Sequence, residues 1–265
     1  MKLLDTLYYK ILLIRKFEEL LFSLFEKGKL SGTTHTYIGQ EATGVSLIEN
    51  LGPNDIVISN HRCHGHYLSK TGDVVGLLSE ILGKKNGVCK GRGGSQHLYS
   101  KGFYSNGVQG GIAPVATGIA LAEKYKSSEA LAVCFIGDGT LGEGILYETL
   151  NMASLWAAPI LFVVENNRIA QTTPVELVLA GEIAARFAAF DIPIAELDSS
   201  DVLEIATLAG GSLADIREKG GPRALILNTH RFGPHSKGDD TRDPGVIAAF
   251  QRQRDPLVIL APRVD

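Results

Sequence analysis

Two apolar runs separated by one helix constrain this chain more than any other feature. "ALAVCFIG" covers positions 130–137 and "APILFVVEN" covers 158–166, with "LGEGILYETLNMASLW" between them. A strand that is apolar at every position must be covered on both faces, as happens in parallel sheets built from β-α-β units. Each run ends in polar residues: Gly137-Asp138-Gly139 after the first, Asn166-Asn167 after the second. Open α/β sheets bind their ligands at these C-terminal tips. The sequence therefore sets a carboxylate and an amide, 29 positions apart, where a ligand belongs.

The rest of the chain agrees. "LLDTLYYKILLIRKFEELLFSLFEKGKL" predicts a long amphipathic helix over about 1–28, and Val45, Leu47 and Ile48 mark a short second one. "DIVIS" reads as a buried strand, and "DVVGLLSEILG" as a helix stopped by Gly83. Positions 87–111 are rich in glycine and are expected to be one long loop, which in a compact protein implies a task. "APVATGIALAEKYKSS" is a helix with Pro114 in its first turn. In the helix after Asp138, Leu141, Ile145, Met152 and Trp156 form the expected buried stripe. A helix around Ile183 to Phe190, a strand "DIPIAEL", a helix "DVLEIATLAGGSLADIREKG" and a strand "RALILN" follow. The expected fold is α/β: a doubly wound, mostly parallel sheet with helices on both faces. We expect a single domain over 1–265 with a mobile tail over about 232–265.

Composition removes several functions. A net charge of -3 gives no basic face for nucleic acid or an anionic membrane. No stretch of 18 apolar residues spans a bilayer, and charges interrupt the N-terminal helix, so neither a membrane segment nor a signal peptide is expected. Cys63, Cys89 and Cys134 are three, far apart and without C-x-x-C, which fits a reducing cytoplasm.

The residue types at the tips suggest their ligand. Asp138 and Asn167 offer the hard oxygens that suit Mg2+, an ion that shares its shell with phosphates. Gly137 and Gly139 allow close backbone approach, and the next helix begins with free N–H groups. All seven histidines (His35, His61, His64, His66, His97, His230, His235) fall in segments expected to be irregular. His61, His64 and His66 cluster with Arg62 just after a strand, which favours an anionic ligand. The same H-x-x-H-x-H spacing could bind zinc, but only Cys63 accompanies it as a further ligand type. "GKKNGVCKGRGG" lacks the P-loop pattern and does not follow a strand.

Gly-Asp-Gly followed at this distance by Asn-Asn is the motif of thiamine diphosphate enzymes. More specifically the chain resembles the α subunit of two-subunit 2-oxo acid dehydrogenase E1 components, the pyruvate, branched-chain and acetoin dehydrogenases. "HTYIGQEA", "HRCHGHYL", "GRGGSQHL", "NGVQGGIAP" and "THRFGPHSKGDD" are similar to that family's motifs and occur in its order. The resemblance implies thiamine diphosphate and Mg2+ as cofactors. Asp138, Asn167 and the Ile169 carbonyl would hold the metal. Arg62 would meet the diphosphate, with His61 standing where the family has a tyrosine. The backbone around Gly107 and Gln109 would face the aminopyrimidine, His235 would lie near the diphosphate, and His35 and His64 would line the substrate channel.

It also implies a partner. In this family a β subunit carries the pyrimidine-binding domain and the activating glutamate within an α2β2 assembly, and a lipoyl acyltransferase takes the acyl group. The expected reaction is decarboxylation of a 2-oxo acid, or cleavage of acetoin, with acyl transfer to the lipoyl carrier. The alternative is an acyloin- or transketolase-type transfer of a two-carbon unit to an aldehyde or sugar. Departures from the family pattern include His61, His230, Pro234 and Ile226, and a chain that stops soon after "RDPLVILAPRVD" where relatives continue. Ser236 stands where some relatives carry a regulatory serine.

Overall fold

The computed structural model describes residues 3–30, 32–236, 238 and 240–264. In chain order the elements begin with α1 (Leu3–Glu26), α2 (Glu41–Glu49), β1 (Ile56–Ser59), α3 (Cys63–Thr71) and α4 (Val74–Ile81). They continue with β2 (Tyr99–Ser100), β3 (Phe103–Ser105), α5 (Ile112–Tyr125), β4 (Ala132–Gly137) and, after a 3-10 turn over Asp138–Gly142, α6 (Gly144–Leu155). Then come β5 (Ile160–Asn166), β6 (Ile169–Ala170), β7 (Thr173–Pro174), α7 (Ile183–Ala188), β8 (Ile194–Leu197), α8 (Val202–Lys219), β9 (Arg223–Asn228), α9 (Pro244–Arg254) and α10 (Pro256–Leu260).

Seven strands form one sheet in the order β2-β3-β1-β4-β5-β9-β8, parallel except for the short β2–β3 pair. Alternation along the strands divides the core into two layers. Val133 and Phe135 of β4, with Leu161 and Val163 of β5, face α1, α2, α3, α4, α8 and α10. Ala132, Cys134 and Ile136, with Ile160, Phe162 and Val164, face α5, α6 and α7. The sheet is therefore covered on both sides, as its apolar strands demand. No helix among the described residues is long and apolar enough to cross a membrane.

The Gly83 stop takes a specific form. Gly83 lies just past the helix with φ +67, its N–H bonding Glu80 O at 2.9 Å while Lys84 N–H bonds Ser79 O at 2.8 Å. That double closure ends α4 with its last carbonyls satisfied.

Four expectations need correction. The segment 87–111 is not all loop: it holds β2 and β3, and β3 pairs with β1 through Val57 and Phe103. His64 and His66 are not in irregular chain but in α3, with no exposed surface. The stripe on α6 is displaced, since its buried face carries Leu146, Thr149, Leu150 and Ala153. Ile145, Met152 and Trp156 are each at least 40% exposed, and Leu141 is buried in the preceding 3-10 turn rather than in the helix. The apolar residues of α6 cover two adjacent faces, and only the one nearer the sheet is packed. Finally, the tail carries α9 and α10, with Leu260 buried against the N-terminal layer. Lys237 and Asp239 of that tail lie outside the described residues.

Candidate active site

β1 is followed by α3 on one face of the sheet and β4 by α6 on the other. Because the two connections leave in opposite directions, a crevice opens between the C-terminal ends of these neighbouring strands. A cavity of about 270 Å3 lies there, lined by Asn60, His61 and Arg62 after β1, Gly137 to Thr140 after β4, and Glu165, Asn167, Ile169 and Ala170 beside β5. Gln40, Gln109, Glu143, Gln171 and His235 complete its wall. A larger groove of about 1010 Å3 lies at the opposite edge, where Asp55, Leu131 and Pro159 precede their strands. It lacks a converging set of unpartnered polar groups, so chemistry rather than size selects the smaller cavity.

Asp138 is the centre of the site. Its Oδ1 accepts from Gly139 N–H at 2.9 Å, whereas its buried Oδ2 has no hydrogen-bond partner. Burial pushes its carboxyl above the ordinary aspartate range, against main-chain donors at Gly139, Arg168 and Ile169. A desolvated carboxylate oxygen with no hydrogen-bond partner is suited to ligate a cation. Gly139 is required by packing, because a Cβ there would lie 2.9 Å from the Ala170 Cβ. A Cβ at Gly137 would meet nothing within 4 Å, which leaves open space beside the strand end.

After β5 the chain turns sharply through Arg168, at φ +62, and Gln171, at φ +56. The turn is held by Asn167, whose Oδ1 accepts from Ile169 N–H at 3.3 Å and whose amide donates to Gln40 Oε1 at 3.2 Å. Asp138, Asn167 and Ile169 thus share one cavity wall, and their carboxylate, amide and carbonyl oxygens suit Mg2+. The residues present fit such an ion.

Arg62 caps α3 at its start and is buried, its backbone N–H on Asn60 Oδ1 at 2.8 Å. The guanidinium donates to Thr36 O at 2.8 Å and reaches His235 Nδ1 at 3.2 Å and His235 O at 3.3 Å. Burial, then the neighbouring Arg231, lower it to about 10, so it stays cationic at neutral pH. It is a ready partner for a phosphate. His35, His61 and His235 stand together beside it, with ring centroids 4.6 Å apart for His35–His61 and 4.7 Å for His35–His235.

Other expected site residues sit elsewhere. His64 does not reach the cavity: Nδ1 lies 3.2 Å from Glu18 Oε2 and Nε2 lies 2.8 Å from Ser95 Oγ, in the protein interior. It ties α1 to the glycine-rich loop. His66 stacks on Phe135 at 3.8 Å and bonds Ser59 Oγ at 2.7 Å. The zinc spacing of His61, His64 and His66 therefore does not converge. His230 stacks on Phe250 at 3.8 Å, and burial with Arg254 brings its imidazole down to about 4. Gly107 does not line the cavity, whereas Gln109 does and its amide donates to Gly107 O at 3.2 Å.

Sequence reasoning missed Glu165 and Glu143. Burial alone would raise the Glu165 carboxyl, but His66, Tyr37 and Asn60 hold it below the usual range. Asn60 donates to it at 2.9 Å and the Tyr37 hydroxyl bonds its other oxygen. Glu143 accepts from Gly110 N–H at 2.9 Å, joining the loop before α5 to the start of α6. The signal for Glu165 was its place immediately before Asn166-Asn167, inside an otherwise apolar strand.

Comparison with known proteins matches residues 9–264 to the family described as "Dehydrogenase E1 component". The α subunit of acetoin:2,6-dichlorophenolindophenol oxidoreductase of Bacillus subtilis (strain 168) is 40% identical over 237 residues, covering 88% of this chain and 71% of its own length. The protein of the same name from Cupriavidus necator is 40% identical over 265 residues, covering 98% and 80%. The pyruvate dehydrogenase E1 component subunit alpha of Rhizobium meliloti (strain 1021) is 36% identical over 256 residues, covering 94% and 74%.

Proposed function

The chain belongs to the dehydrogenase E1 component family of thiamine diphosphate-dependent oxidoreductases, and from that premise we propose that it is the α subunit of a two-subunit, Mg2+-dependent enzyme acting on a 2-oxo acid or acetoin. The acyl group would pass to a lipoyl-bearing acyltransferase. The observation that carries this reading is the orphaned Asp138 Oδ2 in a cavity shared with Asn167, Ile169 and Arg62.

Thiamine diphosphate, when bound, would supply the electron sink for breaking the carbon–carbon bond that releases carbon dioxide from a 2-oxo acid or acetaldehyde from acetoin. This chain's residues bind and orient the diphosphate end. Asp138, Asn167 and the Ile169 carbonyl would hold Mg2+, an ion that readily shares its shell with phosphates. Arg62 neutralises the phosphates from the β1 side, and Gly137 leaves room for them. His61 and Gln109 would complete the cofactor wall, with the Gly107 main chain held by the Gln109 amide. His35 and His235, whose rings meet beside Arg62, would line the substrate's path. His64, with Glu18 and Ser95, positions the loop rather than touching substrate.

A β subunit in an α2β2 assembly would bring the pyrimidine-binding surface and the glutamate that works on it. We place the enzyme in the cytoplasm, where its three thiols stay reduced. The test is co-purification with the β-like chain, then dye reduction with thiamine diphosphate, Mg2+ and a panel of 2-oxo acids and acetoin. Turnover of one of these donors is expected. A cofactor-loaded complex inert toward all of them, but active on ketose donors, would overturn the reading.

A further inference from the structure

Three imidazoles from three separate segments meet beside the cofactor cavity: His35 before α2, His61 after β1 and His235 after β9. One ring nitrogen from each lies within 4.8 Å of the others. His35 is buried, while His61 and His235 keep part of their surface exposed. We propose that these three histidines form a binding site for a borderline-soft divalent transition metal ion of the Zn2+ type, separate in donor set from the Asp138 oxygen site.

The argument starts from His61. Neither of its buried ring nitrogens makes a hydrogen bond of good geometry, although the Gln109 side chain lies close enough to act on the ring. A buried imidazole with neither nitrogen satisfied is costly unless a ligand completes it. In a tetrahedral site with metal–nitrogen bonds of about 2.1 Å, ligand nitrogens stand roughly 3.4 Å apart. Side-chain rotation has to close the cluster from its present span of within 4.8 Å. Three nitrogens select Zn2+, Ni2+ or Cu2+ over Mg2+, which prefers oxygen. A fourth position would remain for water or an anion.

The site also bears on Arg62. Its guanidinium contacts His235 Nδ1 at 3.2 Å and has a second acceptor in the His235 carbonyl at 3.3 Å. Metal on His235 Nδ1 would take that acceptor from Arg62, leaving it the Thr36 and His235 carbonyls, and would place a second cation beside it. Asp138 and Glu165, both acting on Arg62, offset part of that repulsion. If Arg62 binds the cofactor's phosphates as proposed above, Zn2+ and the cofactor compete. That consequence rests on the proposed function; metal binding itself does not.

The test uses the full chain without cofactor. Zn2+ is titrated against a chromogenic chelator in excess Mg2+, and Co2+ is added separately to read the visible spectrum of a tetrahedral site. One equivalent of Zn2+ should bind without displacement by Mg2+. His61→Phe and His35→Gln, each checked for folding by its melting transition, should weaken it by about 100-fold or more. Cys89→Ser should leave it unchanged. Absence of saturable binding, full binding in both histidine variants, or loss of binding in Cys89→Ser would each overturn the proposal. Thiamine diphosphate binding with Mg2+, measured by equilibrium dialysis, is read separately, so failure of one assignment is distinguishable from failure of the other.

Discussion

Gly137 and Glu165 are register partners across β4 and β5. That single pairing puts the first residue beyond β4, Asp138, level with Asn166 at the end of β5, and brings Asn167 to the same cavity. A slip of one residue would move every side chain of β5 to the other face and carry Asn167 away from Asp138. The strict division of β4 and β5 side chains between two core layers therefore holds the site in register.

Asp138 exchanges stability for binding. Its carboxyl is raised above the value of 3.8 by burial, so the native state holds that proton more tightly than the unfolded chain does. Stability from this group accordingly falls as pH rises from the unfolded value through the folded one, and stays reduced above it. Without Mg2+, Asp138→Asn should melt higher than the parent at neutral pH and equally at pH below 3.8. Thiamine diphosphate with Mg2+ should raise the parent's melting temperature and leave the variant's unmoved, with affinity down about 100-fold or more. Unchanged cofactor affinity would remove Asp138 from the site.

The main strands were legible because burial on both faces leaves a local mark in composition. β3 was not, since "GFYS" becomes a strand only by pairing with β1, which is distant in sequence. His64 and His66 were misplaced for a related reason: polar residues read as loop unless one knows that Glu18, Ser95, Ser59 and Glu165 come to satisfy them. α9 and α10 did carry a readable signal. Asp243-Pro244 and Asp255-Pro256 each place a capping aspartate before proline in the first turn. The surrounding Gly, Pro and Lys had outweighed it. Of the site, the motif residues at the strand tips were visible, whereas the meeting of His35, His61 and His235 depends on tertiary structure alone.

Glu80 ties down the glycine-rich loop. Its buried carboxylate accepts main-chain N–H groups from Cys89 at 2.7 Å, Gly91 at 2.8 Å, Gly93 at 2.6 Å and Gly94 at 3.3 Å. Burial would raise its carboxyl, but these donors lower it from 4.5. The native state thus prefers the charged form, and the stabilisation is present above pH 4.5 and lost as pH falls through the lowered value. Glu80→Gln should cost about 1–3 kcal/mol in urea unfolding at pH 7, with a smaller deficit in acid. Hydrogen exchange should rise at residues 89–94. An unprotected loop in the parent would refute the staple.

Gly139 and Ala170 test the fit of the turn against the strand tip. Gly139→Ala introduces a methyl 2.9 Å from the Ala170 Cβ, an overpacking that costs about 1–3 kcal/mol. It should displace β6 and with it Ile169, weakening Mg2+-dependent cofactor binding by roughly tenfold, which is ~1.4 kcal/mol. Adding Ala170→Gly removes the opposing methyl and should restore most of the affinity. Failure of the double variant to recover would show that Gly139 serves the cofactor's approach directly.

Asp255 does two jobs that substitution can separate. Its carboxylate pairs with Arg15 at 2.9 and 3.1 Å and also caps α10, accepting from Leu257 N–H at 3.0 Å. Arg15 bonds Glu41 as well, at 2.5 Å, so one buried cation joins α1, α2 and the start of α10. Asp255→Ser keeps a cap but loses the ion pair; Asp255→Ala loses both. Breaking a buried pair by removing one partner costs about 3–5 kcal/mol, though the pair Arg15 keeps with Glu41 should place the serine variant below that range. The alanine variant should be less stable than the serine variant by about 1 kcal/mol, the value of an N-cap. Equal stability of the two variants would mean that α10 is held by Leu260 and its apolar neighbours rather than by its cap.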